Sequence, residues 1–488
     1  MNDNIGKQIA RGTFWTVFMR LSIRLLGVIS LLILARILLP EDYGLIAKAV
    51  LIGGFLELIT ELGFSAALIK TQNATKQDYD TVWTLSVLRA LILGGVLACS
   101  APSIAIYFVE PKIETLVYFY AFANIITGFN NVGIVDFHKK MEFDKDFTFN
   151  VIKKLSSFFT TIFIAVFWQS YWAFPVGVLV GNITALITSY IMSSYRPSIS
   201  FSSFNSIFYF SKWIFLYSFM KALSEKMDAF LMSKLASESE LGLYTVGKEV
   251  STMPSLELAM PVARAALPGL SLLNHDVGKF NLMYSNILVS VLFLAIPAAL
   301  GVSVLATEIT FVLLGEAWAG AAPFIEVLAL VGLTQVFGAC SVSSLIAYDR
   351  PDLLGKVSII TLLVNIVVLP VGYFLAGISG LVLGVLVANF IRMCILIFLQ
   401  RYLGILSLTI LFQGLWRVVI ATTVMYLLLV ALLLWINNDS MLASLIFLIA
   451  TGGAVFFTTL LLLCLLTGCK NGPEIKFYHL IKNKLIAR

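Results

Sequence analysis

Two long apolar runs, residues 12–38 and 42–69, are each long enough to cross a bilayer, yet both carry charges well inside their length. Arg20 and Arg24 interrupt the first run, and Lys48, Glu57 and Glu61 the second; a tight PEDYG turn joins them. A charge facing hydrocarbon at the bilayer centre costs about 3 kcal/mol on the insertion scale. A chain that accepts several must therefore turn them toward water or toward one another.

The same conflict recurs once. Residues 213–235 and 242–268 form a second apolar pair that carries Lys221, Glu225, Lys226, Asp228, Lys248, Glu249 and Glu257. Elsewhere the apolar runs are nearly free of charge, and Arg89, Arg392, Lys153, Lys154 and Arg417 lie close enough to span ends to snorkel. With 59% hydrophobic and 12% charged residues, this is a polytopic all-α membrane protein. Hydropathy predicts about fourteen spans, with cores near 12–38, 42–69, 82–108, 115–135, 148–168, 173–193, 213–235, 242–268, 280–303, 322–346, 357–374, 380–400, 413–436 and 442–467.

Alternating the connections from the N-terminus puts nearly all loop lysines and arginines on one side, including Lys7, Lys70, Lys139, Lys140, Lys145, Arg196, Lys279, Arg350 and Arg401, and leaves Lys112 alone on the other. By the positive-inside rule both termini are cytoplasmic. The net charge of +6 is thereby explained by topology and does not indicate nucleic acid. Cys99, Cys340, Cys394, Cys464 and Cys469 lie in or beside apolar runs without metal-ligand spacing, and read as packing residues. His138, His275 and His479 fall in connections, so a titrating group within the membrane must be a carboxylate or a lysine.

Shifting the sequence by 198 residues superposes Trp15 on Trp213, Arg36 on Lys234, Gly44 on Gly242, Leu45 on Leu243 and Leu58 on Leu256. An offset of six spans predicts two six-helix halves of like orientation. The expected organisation is a first half at 1–193, a linker along the cytoplasmic interface at 194–212, a second half at 213–403, two extra spans at 404–467 and a basic cytoplasmic tail at 468–488. Trp168, Trp172, Trp318 and Trp435 are placed in an interfacial aromatic belt. Gly377, Gly380 and Gly384 predict close helix packing. The longest exterior loop is expected around LLGEAWAGAA.

Arg20 and Arg24 are one helical turn apart, as are Glu57 and Glu61, while Lys221, Glu225 and Asp228 share a stripe. The candidate substrate-contacting cations are Arg20, Arg24, Lys48, Lys221 and Lys248, guanidinium forks being suited to phosphate and sugar carboxylate. Glu57, Glu61, Glu225, Asp228, Glu249 and Glu257 are candidates for ion coupling or for salt bridges that lock the bundle. No metal site and no cofactor is expected beyond a coupling H+ or Na+. No nucleophile, metal or nucleotide motif points to an enzyme.

The stretch ARILLPEDYGLIAKAVLIGGFLELITELGFSAALIK followed by YDTVWTLSVLRA, with MDAFLMSKLASESELGLYTVGKEV, MPVARAALPGLS and LLGEAWAGAAPFIEVLALVGLTQVFG, resembles the polysaccharide exporters of the multidrug/oligosaccharidyl-lipid/polysaccharide superfamily, in the branch linked to colanic and teichuronic acid. The resemblance implies a V-shaped, MATE-like bundle with a cavity lined by spans one, two, seven and eight. It further implies alternating-access flipping of an undecaprenyl-pyrophosphate-linked oligosaccharide across the bacterial inner membrane, beside membrane lipids and with a polymerase and glycosyltransferases as partners. The alternatives are an ion-coupled multidrug exporter of the same superfamily, a flippase for a peptidoglycan precursor and a membrane enzyme of polysaccharide assembly.

Overall fold

A computed structural model describes residues 2–60, 68, 74–140, 142–271, 273–350, 352–435 and 441–467. Glu61 and the tail 468–488 lie outside these residues, as do the side chains of Glu57 and Lys221. Every long element among the described residues is a helix: α1 Asn2–Ile37, α2 Pro40–Thr60, α3 Lys76–Phe108, α4 Lys112–Gly128, α5 Phe143–Trp168, α6 Ala173–Met192, α7 Phe204–Leu235, α8 Glu238–Ser271, α9 Val277–Val304, α10 Ala322–Ala347, α11 Asp352–Tyr402, α12 Leu408–Leu433 and α13 Met441–Thr467. Nine stretches among the described residues are long and apolar enough to cross a membrane. This is an all-α, multi-pass membrane protein.

The helix starts follow from their caps. The Asp42 carboxylate accepts from the Leu39 N–H at 3.2 Å ahead of α2, and Glu240 accepts from the Ser237 N–H at 2.9 Å ahead of α8, where the Ser237 hydroxyl accepts in turn from the Glu240 N–H at 3.2 Å. SESE is thus a capping box. PEDY and SESE differ in sequence, yet the capping carboxylates stand 198 residues apart (240 − 42), as do the starts of α2 and α8 (238 − 40). Asp78 caps α3 through the Thr75 N–H at 2.7 Å, and Asp276 caps α9 through the Lys279 N–H at 3.0 Å.

The chain divides into two compact units, residues 1–242 and 243–488. In the first, α3 packs on α4, α5 on α6, α1 on α5 and α2 on α7. Leu45 and Ala49 of α2 join Leu97, Ala101, Ile113, Leu116, Val117 and Ala121 in one apolar core. Small residues let these helices approach: a Cβ on Gly128 would lie 2.3 Å from that of Ala90, and one on Gly177 would lie 1.9 Å from the Thr161 hydroxyl.

In the second unit α9 packs against α10 and α12, and α12 against α13. Gln400 is fully buried and donates to the Tyr284 hydroxyl at 3.0 Å and to Ser344 at 2.9 Å. α11 breaks at Ala376 and Gly377, with Gly377 at φ +58, so its two limbs turn back on each other. Gly380 and Gly384 provide the close approach expected of them: a Cβ on Gly380 would lie 2.0 Å from the Gly372 carbonyl. Gly377 instead supplies the left-handed turn, with open space around it.

Three expectations are corrected here. Trp318 is fully buried and belongs to the core, not to an interfacial belt, whereas Trp168 and Trp435 are exposed. The stretch around LLGEAWAGAA is a short helix, a π-helical turn and a 3-10 turn over residues 306–321 and not an open loop, because folding satisfies its backbone locally while Trp318 is buried. Arg417 does not snorkel. It is buried, with its guanidinium 5.3 Å from the centre of the Trp416 ring.

Within the expected linker, residues 194–203 form an extended strap and 204–212 are the first turns of α7. The strap is fastened to α3. Asp80 accepts from the Tyr195 hydroxyl at 2.5 Å, the Ser198 N–H at 3.0 Å and the Ser198 hydroxyl at 2.7 Å. Thr84 accepts from the Ser200 N–H at 3.0 Å, and Asp78 from the Ser203 hydroxyl at 2.5 Å. Beside the strap, Tyr79 donates to Asp136 and Lys140 pairs with Asp136 at 2.8 Å. Burial pushes the Asp136 carboxyl up, but Lys140 and Tyr79 together hold it below the usual range. His138 lies 3.4 Å from Asp146, whose hydrogen bond holds the imidazole above its usual value against the effect of burial.

Candidate functional site

Among the described residues of the first unit, charge inside the apolar elements concentrates on α1, α2 and α7. Arg20 is exposed and Arg24 partly buried, one turn apart on α1. α1 packs against α5, and just before the two arginines the Trp15 and Phe18 rings sit 5.0 and 5.3 Å from the Phe147 ring. Those aromatic contacts anchor the turn that precedes the two arginines. Their planar forks are suited to an anionic oxygen cluster.

α7 carries Glu225, Lys226 and Asp228 with differing exposure: Glu225 exposed, Lys226 partly buried and Asp228 buried. α2 packs on α7, and Lys226 lies beside Gly54, its Cε and Nζ each 4.0 Å from where a Cβ would stand, an ordinary contact distance. Neighbouring Gly53 faces the Tyr120 ring of α4, 3.3 Å from an added Cβ. An ammonium and an aromatic ring thus lie close to the α2 backbone at Gly53 and Gly54. Lys226 was legible as an intramembrane charge, but nothing in the sequence pairs it with a glycine one hundred and seventy-two positions earlier (226 − 54).

Lys48 is engaged differently. It is 5% exposed and its ammonium lies 3.1 Å from a Glu238 carboxylate oxygen, with the Phe108 ring centre 5.8 Å away. The sequence leaves Glu238 in the connection between the spans 213–235 and 242–268 and does not mark it as the counter-ion of a buried lysine. Nearby, Lys234 donates to the Tyr107 carbonyl at 2.7 Å, its ammonium 4.0 Å from that ring's centre.

In the second unit Lys248 is partly buried with its ammonium 5.7 Å from the Tyr244 ring centre, Glu249 is exposed and Glu257 is partly buried. Among the described residues no group of three or more His, Cys, Asp or Glu is disposed to hold a metal ion.

Comparison with known proteins identifies the setting. The chain is 22% identical over 385 residues to the lipopolysaccharide biosynthesis protein WzxC of Escherichia coli (strain K12), covering 78% of each chain. It is 23% identical over 365 residues to the teichuronic acid biosynthesis protein TuaB of Bacillus subtilis (strain 168), covering 72% of this chain and 73% of that one. The fold is similar to that of the lipid II flippase MurJ in an inward closed conformation, with a TM-score of 0.75 at 14% identity over 93% of this chain and 99% of the other. It is also similar to an inward-facing multidrug resistance transporter of the MATE family, with a TM-score of 0.63 at 15% identity over 78% and 94%. Residues 33–323 match the family described as "Polysaccharide biosynthesis protein". With its MATE-like helical bundle and its charged helices, the chain belongs to this polysaccharide biosynthesis protein family.

Proposed function

We propose that the protein carries an undecaprenyl-pyrophosphate-linked oligosaccharide, the repeat unit of a surface polysaccharide, from the cytoplasmic to the outer leaflet of the bacterial inner membrane. In this reading about fourteen spans form two six-helix repeats with two further helices, and both termini and the strap at 194–203 lie on the cytoplasmic side. The matched capping of α2 and α8 at an offset of 198 supports the repeat, and the asymmetry of loop lysines supports the orientation.

The observation that carries the reading is the concentration of intramembrane charge on α1, α2, α7 and α8 of a polysaccharide-family chain, with the buried Arg417 of α12 an exception. Each sugar hydroxyl or phosphate drawn unsatisfied through hydrocarbon costs several kcal/mol. A hydrated row of cations removes that cost while the polyprenyl tail stays in lipid. Arg20 and Arg24 grip the pyrophosphate or an acidic sugar, Lys221 and Lys248 add charge from the second hairpin, and Lys226 stands ready beside Gly54. Lys48, neutralised by Glu238, contributes less to this binding than its position in the sequence suggests. Glu57, Glu61, Glu225, Asp228, Glu249 and Glu257 are the groups through which H+ or Na+ is coupled. A polymerase and glycosyltransferases of the same pathway are the partners that consume and supply the lipid-linked unit.

The test is the Arg20→Ala/Arg24→Ala double variant, measured as surface polymer against membrane protein level. Export is expected to fall to background with expression unchanged. Normal polymer from that variant removes the arginines from the path.

A further inference from the structure

We infer that Gly27 of α1 is a specificity-determining residue, its open flank the seat of the sugar that adjoins the pyrophosphate. The inference rests on the grip of Arg20 and Arg24 proposed above, and it uses the residues of α1 alone. Apart from the helix's own backbone, no heavy atom lies within 4 Å of where a Cβ on Gly27 would stand. α1 is one helix from Asn2 to Ile37, and Gly27 does not have a left-handed backbone. Neither a close approach, as at Gly128 and Gly177, nor a turn, as at Gly377, therefore accounts for this glycine. Alanine there would make a more stable helix.

Helical spacing gives the open flank a direction. The exposed Phe18, Leu21, Leu25 and Ile29 share one side of α1, as lipid-facing side chains would. Arg20, Arg24 and Gly27 share another, centred about 140° away at about 100° per residue. Two arginines and a bare glycine turned from the apolar side mark a flank open to water, since hydrocarbon penalises the charges. The flank is closed one turn beyond Gly27, where Leu31 is 7% exposed and Leu34 fully buried. Helical side chains lean toward the helix N-terminus, so the two guanidinium forks lean away from Gly27 and leave its flank clear. Gly27 follows Arg24 by three residues, about 4.5 Å along the axis. A pyrophosphate held by the forks thus presents its sugar to the bare backbone at Gly27, beneath the enclosed leucines. A side chain at position 27 would occupy the volume that the sugar ring needs.

The experiment uses the full chain in nanodiscs with two probes, undecaprenyl pyrophosphate and undecaprenyl-pyrophosphoryl glucose. Gly27→Leu is expected to bind the bare carrier within about threefold of the parent and the glycosylated carrier at least tenfold more weakly, and to melt no lower than the parent. Gly95 is equally open but stands beside the exposed Ile92 and Val96, so Gly95→Leu is expected to bind both probes as the parent does. Parental affinity of Gly27→Leu for the glycosylated probe overturns the seat. An equal loss for both probes also overturns it, because leucine would then be displacing the arginines, and so does a matching loss in Gly95→Leu. A Gly27→Leu protein that does not accumulate shows the flank to be filled and rejects the seat as well. Arg20→Ala/Arg24→Ala reports the underlying reading separately: unchanged affinity for both probes removes the phosphate grip, whereas loss of both, with Gly27→Leu unaffected, rejects the seat alone.

Discussion

Asp80 holds the strap at 194–203 to α3 with three accepted hydrogen bonds while itself only 4% exposed, so its replacement has a calculable consequence. A hydrogen bond to a charged group contributes about 1.5–3 kcal/mol. Ser198 is exposed and its hydroxyl can turn to water after the carboxylate is lost, whereas the Tyr195 hydroxyl, at 2.5 Å from Asp80, loses a close charged partner. We therefore assign Asp80→Ala a loss of about 3 kcal/mol in the local free energy of opening the strap, at the lower end of the summed bonds. One decade corresponds to about 1.4 kcal/mol, so amide exchange over residues 195–203 should quicken by about 100-fold while α3 itself stays protected. Asp80→Asn keeps an acceptor oxygen in place and should cost about 1 kcal/mol, a change of about fivefold. Hydrogen exchange read by mass spectrometry on the purified protein in nanodiscs measures both. Exchange in the alanine variant within threefold of the parent, or an asparagine variant as labile as alanine, would refute the view that this carboxylate is the fastening.

Three further outcomes are expected. The raised pKa of His138 means that its pairing with Asp146 stabilises the fold fully below the ordinary histidine value and loses that contribution as pH rises through the raised folded value, so His138→Gln should lower the melting temperature at pH 5.5 and much less at pH 8.5; an equal drop at both would reject the pairing. Gly177→Val places a Cβ 1.9 Å from the Thr161 hydroxyl and 3.0 Å from the Ser157 carbonyl, which should cost about 2–3 kcal/mol by overpacking, whereas Gly95→Ala enters open space and should be within about 0.5 kcal/mol of the parent; thermal unfolding in detergent separates the two. Gln400→Leu removes hydrogen bonds to the Tyr284 hydroxyl and to Ser344, whose hydroxyl keeps its bond to the Ser341 carbonyl, and should cost about 2 kcal/mol; a variant as heat-stable as the parent would show that the Tyr284 hydroxyl finds another partner.

Much of the candidate site is proposed from the sequence because charge within an apolar run is a conflict that sequence alone exposes. Arg20, Arg24, Glu225, Lys226 and Asp228 could be singled out by the cost of placing them in lipid, with no knowledge of their neighbours. Their partners could not, since a partner is set by which helices touch. Lys48 carried the same signal as Arg24, yet it is paired with a residue at the start of α8 that the sequence placed in a turn. Trp318 shows the same limit from the apolar side: a tryptophan near a span end suits an interface, and only the fold of residues 306–321 shows that it is enclosed.

The sequence by itself determined that the chain is a multi-pass helical membrane protein, which helices carry its charge, where two of them begin alike and which family it resembles. These properties are written in local composition and spacing, because insertion energy, helix capping and repetition are each read from consecutive residues. Only the tertiary structure decided that Gly44 meets the Glu238 carbonyl, that Lys226 lies beside Gly54 and that Asp80 clasps a strap more than one hundred residues away. Those contacts depend on which distant backbones pass within a few ångströms of each other, and no local pattern encodes that distance.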